Sequence, residues 1–532
     1  MNSQETVEEI ELLIRSKRTI LYLVSQEENR VMSALESMCS KADTSWDLVK
    51  WDIVSGLHSS FPEFMPVKDS EKKLDQEEVL SWFENLIVPK NKFCLLILKD
   101  FHKYFGHGNY RGQLENKILR HTKNLSYQFS TENKAIIIIS SQLELPNDLE
   151  KIVPVIDFPL PTKEEIESKI LEMLGKAAKR KDLSAKFQTT YDPLILDIIV
   201  NSFRGLTISE CEQVCTYCMI KHTSLLPEVI SQQKRDIIRK SGLLDWIDES
   251  ISMSKVGGLN GLKDWLDKRK DAFSKEALEY GLPQNPKGIL LVGIQGAGKS
   301  LFAKAVSSYW NFPLLKLDMG KVFSGLVGSS EQNMRQVFKV AESVAPCILW
   351  CDEIDKGMSG SRSSSSTDGG TTSRVLGSWL TWMQDRQAPV FVVATANDVT
   401  NLPPELLRKG RFDEIFFVDL PRFLERKKIF EIHLQKRARN PKNFNLNYLA
   451  EITESFTGAE IESSIEAALY EAFSDDKREV TNKDIETAIK SSVPISKLMK
   501  EDIENLRHWA SDRARNASNY DDIVLLDEGD DL

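Results

Sequence analysis

Residues 288–300 read Gly288-Ile-Leu-Leu-Val-Gly293-Ile-Gln-Gly-Ala-Gly-Lys299-Ser300, an apolar run that breaks into a glycine-rich turn and ends on a lysine and a hydroxyl. The run suits a strand buried on both faces, and the following Leu301-Phe-Ala-Lys-Ala-Val-Ser-Ser-Tyr-Trp310 has helical character. Between them the spacing G-x-x-x-x-G-K-[ST] is complete and lies in the strand–loop–helix setting that it needs. Gly296 and Gly298 let successive backbone N–H groups face one anion, and the helix N-terminus adds its positive end. Lys299 would neutralise terminal phosphates and Ser300 would offer an oxygen to Mg²⁺. Gly293, Ile294, Gln295, Gly296, Ala297, Gly298, Lys299, Ser300 and Leu301 are therefore the expected nucleotide-binding stretch, and the expected fold is α/β with a parallel sheet.

Working outward, Cys347-Ile-Leu-Trp-Cys-Asp352-Glu353 is a second apolar run, closed by two carboxylates. A buried strand ending this way puts Asp352 at the carboxyl edge of the sheet, beside the phosphate loop and its metal, and leaves Glu353 to orient a water. The run Val390-Phe-Val-Val-Ala-Thr-Ala-Asn397 brings a neutral donor, Asn397, to the same edge. Then Leu406-Leu-Arg408-Lys-Gly-Arg411-Phe-Asp413 supplies two arginines, permanently charged and able to fork onto phosphoryl oxygens.

Strand-length apolar runs alternating with helical segments occur twice, which predicts a duplication at domain scale. The second set begins at 288, 313, 347, 390 and 414; the first begins at 19, 47, 94, 135 and 155. Beyond the sheets, Phe203-Arg-Gly-Leu-Thr-Ile-Ser-Glu-Cys aligns without a gap on Phe456-Thr-Gly-Ala-Glu-Ile-Glu-Ser-Ser, so each half is expected to end in a helical lid. The charged stretch 231–250 reads as the join, and 359–373, rich in Ser and Gly, as a loop. The expected organisation is an N-terminal α/β domain over 1–235, an ATPase subdomain over 245–421, a lid over 422–495, and a C-terminal helix with an acidic tail over 496–532.

The first half lacks the phosphate loop. Ser25-Gln-Glu27-Glu28-Asn29-Arg30 stands between its first strand and helix, and two carboxylates without a glycine would repel a triphosphate. Its Cys94-Leu-Leu-Ile-Leu-Lys-Asp100-Phe101 puts Phe101 where the second half has Glu353.

The 532 residues leave room for roughly three or four compact units. With 69 Lys+Arg against 79 Asp+Glu the net charge is −10, which disfavours general polyanion binding and makes nucleic acid the less favoured partner. Seven cysteines, irregularly spread, read as reduced thiols. Cys211, Cys215 and Cys218 fall at i, i+4, i+7, the pattern of a packed helix face rather than of a cluster-binding loop. The N-terminus has acidic residues where an import signal would have basic ones, so none is expected there, and no apolar stretch reaches the ~18 residues of a membrane helix, so no membrane insertion is expected.

As an ordered set, Val256-Gly-Gly-Leu, Tyr280-Gly-Leu-Pro, the phosphate loop, Cys347–Asp355, Ala394-Thr-Ala-Asn397, Leu406–Asp413 and Phe456-Thr-Gly-Ala-Glu-Ile resemble the AAA branch of the AAA+ ATPases over residues 256–490. The plan of an inactive AAA-like half before an active one is similar to the AAA proteins of cyanobacteria and red-lineage plastids known as hypothetical chloroplast reading frame forty-six. The resemblance implies ATP and Mg²⁺ as ligands, with Lys299 and Ser300 in Walker A, Asp352 and Glu353 in Walker B and Asn397 as first sensor. It implies adenine contacts from Val256 and Gly257, with Gly458 and Ala459 at the second-sensor position. Arg408 and Arg411 would act on a neighbouring subunit, hence a homo-hexamer, and Leu326-Val327-Gly328 would be the loop that meets a protein client. The implied activity is ATP hydrolysis that remodels proteins, in the cytoplasm or a plastid stroma, with a link to photosynthesis or inorganic carbon use. A nucleic-acid- or ribosome-associated ATPase and an ATP-switched scaffold are the alternatives.

Overall fold

The computed structural model describes residues 2–41, 45–59, 74–106, 112–180, 187–240, 242–249, 251–282, 285–323, 329–358, 371–408 and 410–518. The segment Leu326-Val327-Gly328, expected to meet a client, segment 359–370 and the acidic tail lie outside these. The chain divides into two compact units, Met1–Lys234 and Arg235–Leu532, the division falling within the helix Pro227–Lys240.

The first unit is built on β1 (Ile20–Val24), β2 (Ser45–Asp52), β3 (Gly56–Ser59), β4 (Lys92–Lys99), β5 (Lys134–Ser140) and β6 (Val155–Asp157), in the spatial order β3-β2-β4-β5-β1-β6. All neighbours run parallel except the β2–β3 hairpin. The second unit holds β7 (Leu244–Ile247), β8 (Gly288–Gly293), β9 (Leu314–Leu317), β10 (Cys347–Cys351), β11 (Val390–Ala396), β12 (Glu414–Val418) and β13 (Arg515–Asn516), in the order β13-β12-β8-β11-β10-β9-β7. From β2 to β6 and from β9 to β12 the same parallel order recurs, and an antiparallel strand closes the far side of each sheet. The inner strands β5, β8, β10 and β11 are buried along their whole length. Helices cover both faces, so these strands present apolar side chains on both.

Three edge strands are absent from the sequence reading. β3 is the return of a hairpin, β7 lies inside the stretch that reads as a join, and β13 follows the C-terminal helix Lys500–Arg513. β13 pairs with β12, while Ala517 N donates to Phe417 O and Leu262 N donates to Ala517 O, both at 2.9 Å. The end of the described chain is thereby stitched between the sheet and the helix Asn260–Asp267.

The lids correct the gapless alignment by three residues. The helices Ile208–Lys221 and Gly458–Ser474 each start on a threonine N-cap whose box is closed by a glutamate, Thr207 with Glu210 and Thr457 with Glu460. Such a box satisfies two orphan amides reciprocally and fixes where the first turn begins. Thr207 therefore answers Thr457, and Cys211, Cys215 and Cys218 answer Ile461, Ile465 and Ala468, buried on both sides. The three thiols are part of a packed face, and burial pushes all three above their usual pKa.

Candidate active site

The turn after β8 delivers residues 294–298 to the start of the helix Lys299–Trp310. Gly296 and Gly298 take φ of +79° and +98°, left-handed values that curl the backbone at low cost for glycine. Lys299 is 6% exposed, and its amine donates to Gly293 O at 2.7 Å and Ile294 O at 2.8 Å. Desolvation lowers its pKa to about 8, against the pull of Asp355, Asp352 and Glu353. A buried ammonium satisfied by carbonyl oxygens, beside a helix N-terminus, is a cradle that fits a polyphosphate.

Four polar groups close the next part of the site. Asp352 Oδ1 accepts from Thr395 Oγ1 at 2.8 Å and from Ser300 Oγ at 3.1 Å. Thr395 Oγ1 in turn accepts from Glu353 N at 2.9 Å, so one hydroxyl ties β11 to both carboxylate residues. Glu353 has φ of +50°, a conformation costly for a side-chain-bearing residue and held here by that bond. Ser300 and Asp352 offer hard oxygen donors side by side, which suits Mg²⁺.

Asn397 Nδ2 donates to Glu353 Oε1 at 3.2 Å, and Lys356 pairs with Glu353 Oε2 at 2.7 Å. Asp355, buried, accepts from the backbone N–H of Asp398 at 3.1 Å and of Asn397 at 3.3 Å, which sets the loop that carries Asn397. Burial raises the Asp355 pKa, and those two N–H groups oppose the rise.

The two arginines differ. Arg408 is exposed, whereas Arg411 is half-buried and donates to Leu380 O within the helix Thr371–Asp385. Asp413 of the same motif is structural: its carboxylate accepts from Lys287 N at 2.7 Å and Gly288 N at 2.9 Å, at the start of β8.

Val256 is buried and Gly257 packs on the lid helix Phe423–Lys436, where an added Cβ would stand 2.6 Å from Ile429 Cγ1. Ala459 N, in the first turn of the lid helix Gly458–Ser474, donates to Gly296 O at 3.1 Å, which brings the second-sensor position onto the phosphate loop.

Sequence reasoning missed Thr395, Asp355, Lys316 and Glu425. Lys316 is on β9, 3.3 Å from Asp352 Oδ2 and with its amine 4.5 Å from the Trp350 ring centre. Glu425 accepts from Leu259 N at 3.0 Å, Arg422 N at 2.9 Å and Ser518 Oγ at 2.6 Å, joining the 256–259 segment, the lid and the C-terminal strand region. A lone lysine inside the run Leu314–Leu317 was the one available signal.

A parallel sheet with a phosphate loop, paired carboxylates at its carboxyl edge and a helical lid defines a P-loop ATPase of the AAA class. Family models agree: the ATPase family associated with various cellular activities matches residues 289–420, and the AAA+ lid domain matches 443–487. The N-terminal domain of SpoVK-like AAA ATPases matches residues 6–158. The chain is 40% identical over 517 residues to the AAA domain-containing protein ycf46 of Pyropia yezoensis, covering 96% of this chain and 99% of the relative. It is 38% identical over 508 residues to ycf46 of Trieres chinensis, covering 95% and 96%. It belongs to the ycf46 family of AAA proteins and is an ATP-hydrolysing enzyme by its ATPase domain. The proteasome-activating nucleotidase of Saccharolobus islandicus is 32% identical over 272 residues, covering 50% of this chain and 68% of the relative.

Proposed function

We propose that the second unit couples ATP hydrolysis to the remodelling of a protein or protein assembly, within a ring of identical subunits. The observation that supports the chemistry is the Ser300–Asp352–Thr395–Glu353–Asn397 network, which ties one carboxylate to the Ser300 hydroxyl and another to the Asn397 amide, an arrangement suited to a metal and a water. Ser300 and Asp352 would hold Mg²⁺, which when bound would supply charge neutralisation on the phosphate oxygens. Lys299 holds the terminal phosphates through its ammonium. Glu353 accepts the proton of the attacking water, and Asn397 orients that carboxylate by the bond from its amide. Val256, Gly257, Gly458 and Ala459 line the nucleotide, linking its presence to the position of the lid.

Arg408, exposed and outside its own subunit's network, is suited to enter a neighbour's site and stabilise charge there. Arg411, bonded to Leu380 O, positions that loop. The kinship with a proteasome-activating nucleotidase supports a protein as the client. The loop Leu326-Val327-Gly328 is the proposed client contact.

The test is ATP turnover per subunit across a wide range of protein concentration, with molecular mass followed in the same samples. Turnover that rises as a ring forms is expected. Turnover that stays flat in a monomer would rule out completion of the site in trans.

A further inference from the structure

The first unit repeats the sheet of the ATPase unit, and its counterpart of the nucleotide site is filled by the protein itself. Three residues, 25–27, join β1 to the helix Glu28–Lys41, where five, 294–298, join β8 to its helix. Glu28 thus opens its helix as Lys299 opens the other. On the partner strand Asp100 takes φ of +52°, as Glu353 takes +50°, so Asp100 rather than Phe101 answers Glu353, and Lys99 answers Asp352. The charges of the Walker pair are exchanged: Lys299 and Asp352 of one unit correspond to Glu28 and Lys99 of the other. Lys99 and Glu28 meet in an ion pair of 2.5 Å.

Beside this pair lies Glu27, 7% exposed. Its Oε1 accepts from Ile208 N at 2.6 Å, the first residue of the capped lid helix. Its Oε2 pairs with Arg30 at 2.5 Å, and its own N–H donates to Ser25 Oγ at 3.0 Å. Arg30 extends the network to Pro159 O at 2.7 Å and to Glu165 Oε2 at 3.0 Å, and stands 5.0 Å from the Phe158 ring centre. Glu165 closes the capping box of Thr162, which starts the helix Lys163–Ala178. A helix N-terminus and a guanidinium facing one point make an anion cradle. Here a side-chain carboxylate occupies it.

We infer that Glu27 is a built-in anion that locks the lid of the first unit to its sheet, so that this unit holds one conformation whatever the nucleotide. Burial raises the Glu27 pKa, and the Ile208 N–H and Arg30 oppose that rise. The ATP cycle is then confined to the second unit, and the first serves as a fixed platform. This inference stands whether or not the ring remodels proteins.

The experiment is amide exchange followed by mass spectrometry on the full chain, read in peptides spanning 206–214 and 160–168. In the native protein, exchange there is expected to be the same with and without ATP and Mg²⁺; protection that depends on nucleotide overturns the lock. Glu27→Ala is expected to speed exchange at 206–214 at least tenfold and to spread the effect to 160–168 through Arg30. Unchanged exchange in that variant also overturns it. Glu27→Gln, which retains an oxygen for Ile208 N–H but no charge, guards against misfolding of the alanine variant. An increase of about threefold supports the charge, and native-like exchange refutes it.

Discussion

The Lys316 amine and Asp352 Oδ2 are 3.3 Å apart, on the carboxylate whose other oxygen accepts from Ser300 and Thr395. A resident cation therefore faces the group expected to meet a divalent one, and the two compete for the same charge. Lys316→Met should lower the Mg²⁺ concentration needed for half-maximal binding of a fluorescent ATP analogue, by about two- to fivefold for an ion pair that is part-exposed. A higher Mg²⁺ requirement would mean that Lys316 instead helps to hold the phosphates.

Glu353→Gln keeps the oxygen that accepts from Asn397 Nδ2 and removes the basicity. ATP affinity should stay within about threefold of native while turnover falls at least ~100-fold, the scale of general-base catalysis. Equal losses in both would show that the residue positions nucleotide rather than water. Binding and single-turnover measurements on one preparation separate the two.

ATP affinity should depend on pH through Lys299, whose pKa in the free protein is lowered to about 8 by burial. Below that value the amine is charged both free and bound, and affinity is flat. Above it the free protein has lost a proton that phosphate binding restores, so affinity falls as pH rises, by up to about tenfold per unit. Titrations between pH 7 and 9 in two buffers of different ionisation enthalpy would report the proton uptake directly.

Arg408 and Arg411 should separate by readout. Arg408→Ala removes an exposed side chain, so the melting temperature should hold while turnover of the assembled protein drops. Arg411→Ala removes the donor to Leu380 O, so the second unit should melt lower by a few degrees, about 1–2 kcal/mol for a charge-assisted bond. A melting loss for Arg408→Ala would place it in the subunit's own structure.

The sequence by itself determined the inner strands of both sheets and the phosphate-loop motif. Parallel strands covered on both faces must be apolar throughout, so β1, β4, β5, β8, β10 and β11 stand out as runs, and a phosphate loop needs glycines and a lysine at set spacing. What only the tertiary structure decided depends on partners far away in the chain. Edge strands such as β7 and β13 exist because β9 and β12 offer them free ladder groups, and nothing in four or two residues announces that. Lys316, Asp355 and Glu425 become site residues by meeting Asp352, the Asn397 loop and the 256–259 segment across the fold. In the first half the sequence showed that two carboxylates would repel a nucleotide. The fold alone showed that Lys99 pairs with Glu28, that Arg30 pairs with Glu27, and that the Ile208 N–H donates to Glu27, because a donor and an acceptor 181 residues apart are neighbours only once the lid has packed on the sheet.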